Sequence, residues 1–347
     1  MADAKGEEVA FSVSGKTLDV DYSRQHKVKV TDRSGQTLTY QLFQGVHYVP
    51  LFKVEVLQQI KGFNMRPDDI YFTGYPRTGT NWTFEMTSML LNGKAETIQR
   101  DKDQLELSPH AELAQLPSPR VINSHMKLSD SPDDVTALKC KVIYTMRDPK
   151  DVVVSLYKLY YNRVFPFGTY NGHFEDFLHL FMDGTVDNNG IFEHWRDAEK
   201  YFTHHPDIPV HFQSYEDAIK DPVRAVQALS DFLGLHRNDY LCRSIAEKCS
   251  FSRMKIDKEP FSIKVDGEHF LYRKGVVGDW KNWFNDQMLE DYYKVYEEKM
   301  AGSRFYDAYA KSKTNTSDLS VYFFVCSIFI FTYIVIFGLY ATICIYL

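Results

Sequence analysis

Apolar residues along this chain fall into short runs separated by polar turns. Ile70 to Thr73, Arg120 to Lys127, Lys141 to Met146 and Val210 to Phe212 read as strands. Between them the spacing becomes helical. Thr80 to Leu91 carries Trp82, Met86, Met89 and Leu90 at helical intervals, and Val152 to Tyr161 opens behind Asp148 as N-cap with Pro149 at the first position. Phe174 to Phe181 and Ile191 to Phe202 are aromatic and amphipathic. Asp221-Pro222 caps a helix running to Leu233-Gly234, and Tyr240 to Cys249 is one more, ended by Cys249-Ser250-Phe251. Strands alternating with helices through residues 70 to 235 predict an α/β fold, a single domain with a central, mostly parallel sheet covered by helices.

Elsewhere the pattern is less regular. Leu38 to Gln44 with Val46 to Pro50 fits a pocket-lining loop or a strand pair equally well. Leu51 to Ile60 predicts a helix, Arg66 to Asp69 a turn, Ser131 to Asp134 the start of a short helix. Residues 92 to 120, with Pro109, Pro117 and Pro119, read mostly as loop, and 252 to 280 as irregular and basic. Residues 1 to 35 are a polar segment whose first 25 or so lack the apolar core of a signal peptide. The domain is expected over 36 to 310, followed by a linker at 311 to 320.

Val321 to Leu347 differs in kind, with no charged residue and more than the roughly 20 residues a membrane-spanning helix needs. Lys311 and Lys313 precede it. This predicts a transmembrane helix over 321 to 346, a single-pass C-terminal anchor with the domain in the cytoplasm. A buried core helix and a lipid-anchor signal are the alternatives. Asn315-Thr316-Ser317 matches a glycosylation sequon that would be idle on the cytoplasmic side.

Composition narrows the partners. The chain has 347 residues, a net charge of -6, 23 tyrosines and 25 phenylalanines. The charge gives no electrostatic case for nucleic acid, and the aromatics allow an apolar pocket. Five scattered cysteines form neither a metal-ligand spacing nor a disulfide framework, so no metal is expected.

Two strand-to-helix turns carry the chemistry. Gly74-Tyr75-Pro76-Arg77-Thr78-Gly79 aims backbone N–H groups and a helix N-terminus at one spot, and Arg77 adds a forked cation. This suits a phosphate or sulfate, although a purely structural glycine-rich turn reads the same way. The spacing matches half of a nucleotide-binding P-loop, but Thr80-Asn81 stands where Lys-Ser/Thr is needed. The second turn, Arg147-Asp148-Pro149-Lys150-Asp151, puts Ser155 one helical turn on, within reach of a ligand shared with Arg147. On an extended strand Asn123, His125 and Lys127 share one face.

From about residue 40 to 305 the chain resembles the cytosolic sulfotransferase family, which uses 3′-phosphoadenosine 5′-phosphosulfate. Tyr75 to Trp82 resembles the 5′-phosphosulfate loop YPKSGTTW, Arg147 to Ser155 the 3′-phosphate motif RNPKDVAVS, and Arg273 to Asn282 the segment RKGxxGDWKN. The resemblance implies the P-loop-like sulfotransferase fold. It also implies backbone contacts from Thr78, Gly79, Thr80 and Asn81 to the phosphosulfate. Trp82 and Phe251 would stack on adenine, with Tyr215 and Cys249 nearby. Arg147, Ser155, Arg273, Lys274 and Gly275 would hold the 3′-phosphate. His125 would be the general base, a role typically worth about 10²–10⁴-fold. The acceptor would be a small phenol, sterol, alcohol or amine, touched by residues from 41 to 52, 100 to 118 and 160 to 175.

Three features depart from the family pattern. Arg77 replaces the loop lysine as leaving-group cation, and Asn123 replaces a lysine two residues before the histidine. In the dimer motif KxxxTVxxxE, Lys281 and Glu290 stand but Asn285-Asp286 replaces Thr-Val, so the implied homodimer lacks its central pair. Arg77 and Asn123 keep open a nucleotide-binding protein with little turnover. A P-loop kinase is opposed by Thr80-Asn81.

Overall fold

The computed structural model describes residues 11–13, 16–18, 27–99, 103–162, 169–261, 264–265, 268–269 and 274–310. Arg273, the linker and the apolar run at 321–346 lie outside the described residues. Residues 1–301 form one compact unit, and residues from Gly302 on form another.

In chain order the first unit begins with β1 (Phe11–Val13), β2 (Lys16–Leu18), β3 (Lys27–Thr31), β4 (Thr37–Phe43), β5 (Val46–Tyr48) and α1 (Val54–Leu57). Then come β6 (Ile70–Gly74), α2 (Thr80–Asn92), α3 (His110–Ala114), β7 (Val121–Ser124), α4 (Asp133–Ala137), β8 (Lys141–Met146) and α5 (Pro149–Tyr160). They are followed by α6 (Phe174–Asp183), α7 (Ile191–His204), β9 (Val210–Ser214), α8 (Tyr215–Lys220), α9 (Pro222–Leu233), α10 (Asp239–Lys248) and α11 (Phe251–Asp257). The unit ends with β10 (Lys264–Val265), β11 (Glu268–His269) and α12 (Asp286–Met300); the second unit holds α13 (Tyr306–Ala310).

The central sheet has the order β7-β6-β8-β9, with every pairing parallel. Alternation decides its two faces. Ile70, Phe72, Val121 and Ile143 join Phe84 and Met89 of α2, Val226 and Leu229 of α9 and Ile245 of α10 in one buried cluster. On the other face Tyr144 packs against Phe212 and His194, with ring centroids 5.8 and 5.7 Å apart, and Phe202 of α7 closes over Phe212. Both faces are covered, which is why the central strands β6 and β8 read as nearly continuous apolar runs rather than alternating ones.

Helix starts follow local chemistry. The side chains of Asp148, Asp221 and Asn238 accept from backbone N–H groups at the starts of α5, α9 and α10. Asn285, which departs from the family's threonine, caps α12 by accepting from Met288 N–H at 2.8 Å.

Several expectations need correction. The segment of undecided form at 38–50 is a strand pair, β4 against β5, and β3 adds a third strand from within the stretch read as a polar terminal segment. The helix expected over Leu51 to Ile60 is one turn, Val54–Leu57. Its β-branched Val54 and Val56 favour helix weakly, and the buried Ile60 and Phe63 are brought in by turns. Within 252–280, read as irregular, α11 forms because Phe251, Met254 and Lys258 share an inward face, with Lys258 paired to Glu85. The loop at 92–120 contains α3, and Gln104 bridges to Asn123 beside the sheet. Strand pairing in β7 stops at Ser124, where Glu106 takes both the Ser124 hydroxyl and the His125 N–H. The period-two face expected for Asn123, His125 and Lys127 therefore ends with Asn123, since both His125 and Lys127 lie beyond the strand. Among the described residues no helix is long and apolar enough to cross a membrane.

Candidate active site

Four parallel strands end at one edge of the sheet, and the chain beyond each end carries a residue of interest. Arg77 and Gly79 follow β6, His125 follows β7, Arg147 follows β8 and Tyr215 follows β9. Since β6 lies between β7 and β8, its neighbours leave on opposite sides and open a crevice at the carboxyl edge.

The turn after β6 is held against β8. A Cβ at Gly74 would sit 2.1 Å from Thr145 Oγ1, so only glycine lets the strands close there. Thr78, buried, donates its hydroxyl to Tyr75 O at 2.6 Å and meets Thr145 Oγ1 at 2.8 Å. Its side chain pins the turn, leaving the backbone as the part that could touch a ligand. Arg77 is left-handed at φ 71°, and its Nε donates to Ser155 Oγ at 2.9 Å. Gly79 caps α2 at φ 94° and supplies no side-chain cap. The first amides of a helix lack intrahelical partners, so this end, with Thr80 and Asn81 in its first turn, suits an anion. The Tyr215 ring stands 2.8 Å from where a Gly79 Cβ would lie.

The turn after β8 meets the first turn. Arg147 Nη1 donates to Arg77 O at 3.3 Å and Nη2 to Val276 O at 3.1 Å, while its guanidinium lies 4.2 Å over the Tyr215 ring. Arg147 Nε is buried and has no protein partner. Asp151 accepts from Gly278 N–H at 2.6 Å and Trp280 N–H at 3.0 Å, fastening the segment after Lys274 to α5. Burial raises the Asp151 carboxyl, and Arg147 beside it pulls the other way. Lys274 is tied to Asp279 at 2.7 Å. Gly275 is left-handed at φ 65°, and its missing Cβ would fall 2.2 Å from the Phe251 ring. Lys150 is fully buried, 3.0 Å from Asp148 and over the rings of Trp280, Tyr292 and Tyr293, so it holds the turn together from behind.

Trp82 donates its indole N–H to Cys249 O at 2.7 Å and lies edge-on to Tyr215, 5.6 Å between centroids. Cys249 thus contributes a carbonyl. Its thiol is buried 3.8 Å from Met89 Sδ, and burial pushes its pKa up.

His125 is held through its backbone N–H, its carbonyl and its Nδ1. Its N–H goes to Glu106, and its carbonyl accepts from Asn188 Nδ2 at 2.9 Å and His194 Nε2 at 3.2 Å. Its Nδ1 lies 2.8 Å from Gly74 O. A carbonyl only accepts, so Nδ1 carries the proton, and the neutral ring keeps its lone pair on Nε2. By the same logic His194 donates from Nε2 and accepts from the Tyr144 hydroxyl at Nδ1. Burial lowers the His194 pKa to about 4, which keeps that ring neutral. Asn123 is 1% exposed. Its Nδ2 makes a long 3.4 Å bond to Val121 O, and its Oδ1 has no protein partner.

The fold therefore gathers Arg77, Gly79, Trp82, Arg147, Ser155 and Tyr215 around one crevice, with His125 joined to it through Gly74. Glu106, Asn188 and His194 escaped the sequence reading. Each is remote in the chain from His125, and only the polar run Asp187-Asn188-Asn189 before Gly190 hinted at a special turn. Among the described residues no cluster of His, Cys, Asp and Glu could hold a metal ion. The unpartnered Arg147 Nε, the uncapped α2 N-terminus and the two left-handed glycines fit a nucleotide carrying two separate anionic groups.

Comparison with known proteins agrees. A family profile described as a sulfotransferase domain matches residues 67–304. Sulfotransferase 1A1 of Mus musculus is 33% identical over 277 residues, covering 74% of this chain and 94% of that protein. Sulfotransferase 1B1 of Canis lupus familiaris is 31% identical over 269 residues, covering 71% and 88%. Among solved structures, mouse sulfotransferase SULT7A1 complexed with PAP superposes with a TM-score of 0.68 at 29% identity, covering 78% of this chain and 98% of that one. Retinol dehydratase in complex with androsterone and PAP shares the fold, with a TM-score of 0.64 at 23% identity.

Proposed function

The chain belongs to the sulfotransferase family and is a sulfotransferase enzyme with 3′-phosphoadenosine 5′-phosphosulfate as co-substrate; from that premise we propose that His125 is the general base for transfer to a small apolar acceptor. The observation that carries this reading is the bond from His125 Nδ1–H to Gly74 O. It fixes the tautomer with a basic Nε2 and ties the base to the first residue of the anion turn.

The chemistry follows from the groups in place. The acceptor hydroxyl, or amine, loses its proton to His125 Nε2 as its oxygen or nitrogen bonds to sulfur. The bond from sulfur to the bridging phosphate oxygen breaks on the opposite side, leaving 3′-phosphoadenosine 5′-phosphate (PAP). Negative charge grows on that leaving phosphate, where the α2 N-terminus and Arg77 can offset it. Arg147, Ser155, Lys274 and Gly275, with Arg273 beyond the described residues, would hold the 3′-phosphate. Trp82 and Phe251 would take the adenine, beside Tyr215 and Cys249. The aromatic rings of the β4–β5 pair, Phe43 and Tyr48 among them, support an apolar acceptor such as a phenol, sterol or alcohol.

The test is full-length protein in detergent, given labelled donor and a broad acceptor panel. Wild type transfers label to at least one acceptor, and His125→Ala does not, while both bind PAP. A fully active His125→Ala would remove the base from the mechanism. A second reading, a nucleotide-holding protein with little turnover, draws on Asn123, whose buried amide leans on its own strand where the family has a lysine. Tight PAP binding with no transfer to any acceptor would select it.

We infer also that residues 321–346 anchor the protein in a membrane, because the run has no charged residue and exceeds the roughly 20 residues a span needs. Recovery of the full-length protein in the supernatant after an alkaline membrane wash would refute this.

A further inference from the structure

Asp187, Asn188 and Asn189 are three successive non-glycine residues in the left-handed region, at φ 29°, 54° and 60°. Such a run is held only where surrounding structure over-determines it, and a function is worth seeking there. Asp187 anchors the turn from below. Both its carboxylate oxygens lie within reach of the Tyr160 hydroxyl, at 2.7 and 2.8 Å.

The two asparagines reach in different directions. Asn188 donates its side-chain Nδ2 to the carbonyl of His125 at 2.9 Å, and its backbone N–H to His47 O at 2.8 Å. Asn189 grips the β4–β5 hairpin at its turn and at the strand that follows. Its Oδ1 accepts from His47 N–H at 3.1 Å, and its Nδ2 donates to Gly45 O at 2.8 Å. One strained turn thus fastens the base and the hairpin to each other, although 78 residues of chain separate His47 from His125 (125 − 47).

We propose that the Asp187–Asn189 turn is a two-sided positioning device for sulfuryl transfer: Asn188 orients His125 for proton removal, and Asn189 sets the hairpin that the acceptor contacts. The inference rests on the reading of His125 as base and of residues 41–52 as acceptor-lining. The division of labour is its distinctive content. Loss of the Asn188 side chain loosens the base and leaves the hairpin tied through the Asn188 backbone. Loss of the Asn189 side chain frees the hairpin and leaves the base oriented.

Glycine suits the test, because it accepts the left-handed backbone while deleting the side chain. Asn188→Gly is expected to lower kcat about ten- to hundredfold, since small displacements of a reacting group are costly, with acceptor KM and PAP Kd little changed. Asn189→Gly is expected to raise acceptor KM roughly three- to tenfold, the worth of its lost hydrogen bonds, with kcat little changed. Asn188→Asp, which keeps the shape and loses the donor, should reproduce the kcat loss, and thermal melts of each variant check the fold. If the two glycine variants shift kcat, KM and Tm alike, or if Asn188→Gly keeps wild-type kcat while His125→Ala is inactive, the positioning role is overturned alone. If His125→Ala is fully active, or wild type transfers nothing, the reading of His125 falls and this inference with it.

Discussion

The side of the crevice proposed for the nucleotide and the side proposed for the base are built by different means. On the nucleotide side, two contiguous stretches deliver the two anion turns, while Tyr215, Phe251, Lys274 and Gly275 come in from later in the chain. Residues 74–82 bring turn, cation, helix end and aromatic ring together, and residues 147–155 bring the second arginine, its cap and Ser155. The base side is assembled from afar. His125 is held by Gly74, Glu106, Asn188 and His194, each from a different element or loop. The two anion turns of the first site are set by local sequence. The second site is stiff only while the whole fold is.

That contrast predicts which property each substitution moves. The largest effect is expected on the base side. His125→Ala should cut transfer by about 10²–10⁴-fold and leave PAP affinity nearly intact, read by initial rates beside calorimetry. A matching fall in PAP affinity would mean that the two sides are not separable.

Arg147→Ala is the counterpart on the nucleotide side. It removes charge-assisted bonds of about 1.5–3 kcal/mol, so PAP Kd should rise roughly ten- to a hundredfold. The unpartnered Nε in the protein alone is the reason to expect this. An unchanged Kd would place the 3′-phosphate elsewhere.

Asp187→Asn probes the base side through pH. Burial lifts the Asp187 carboxyl from 3.8 to about 7, although donation by Tyr160 pulls it down. Between those values the unfolded chain is ionised while the folded protein keeps its proton. Wild type therefore loses stability as pH rises from about 4 toward 7, and the loss levels off above that. Asp187→Asn cannot titrate, so its stability relative to wild type should improve by about 1–3 kcal/mol between pH 5 and pH 8, read from urea melts. A difference that is flat with pH would mean that Asp187 is ionised in the fold.

Gly79→Ala tests the anion turn itself. The left-handed backbone and the Tyr215 ring 2.8 Å away both oppose a methyl group there. A stability loss of about 1–3 kcal/mol should accompany weaker PAP binding, with the pH dependence of transfer unchanged. If that pH dependence moved instead, the anion turn would be acting on the base through the Gly74 carbonyl.

Much of the molecule is readable in its sequence. The largely apolar runs at 70–73, 120–127, 141–146 and 210–212 announce strands, because strands covered on both faces carry apolar side chains in succession. Asp148-Pro149 and Gly79 mark helix starts because capping is settled within a few residues. The anion turn, Arg147 and Ser155 are visible for the same reason. What the sequence could not decide is whatever depends on residues far apart in it. The form of 38–50 was settled by cross-strand pairing and α11 by the inward pull of Met254 and the Lys258–Glu85 pair. The burial of Lys150 among the rings of Trp280, Tyr292 and Tyr293 was likewise decided by distant segments. The grip on His125 by Glu106, Asn188 and His194 has no sequence signature, because hydrogen bonds across 19, 63 and 69 residues exist only once the sheet has set the distances.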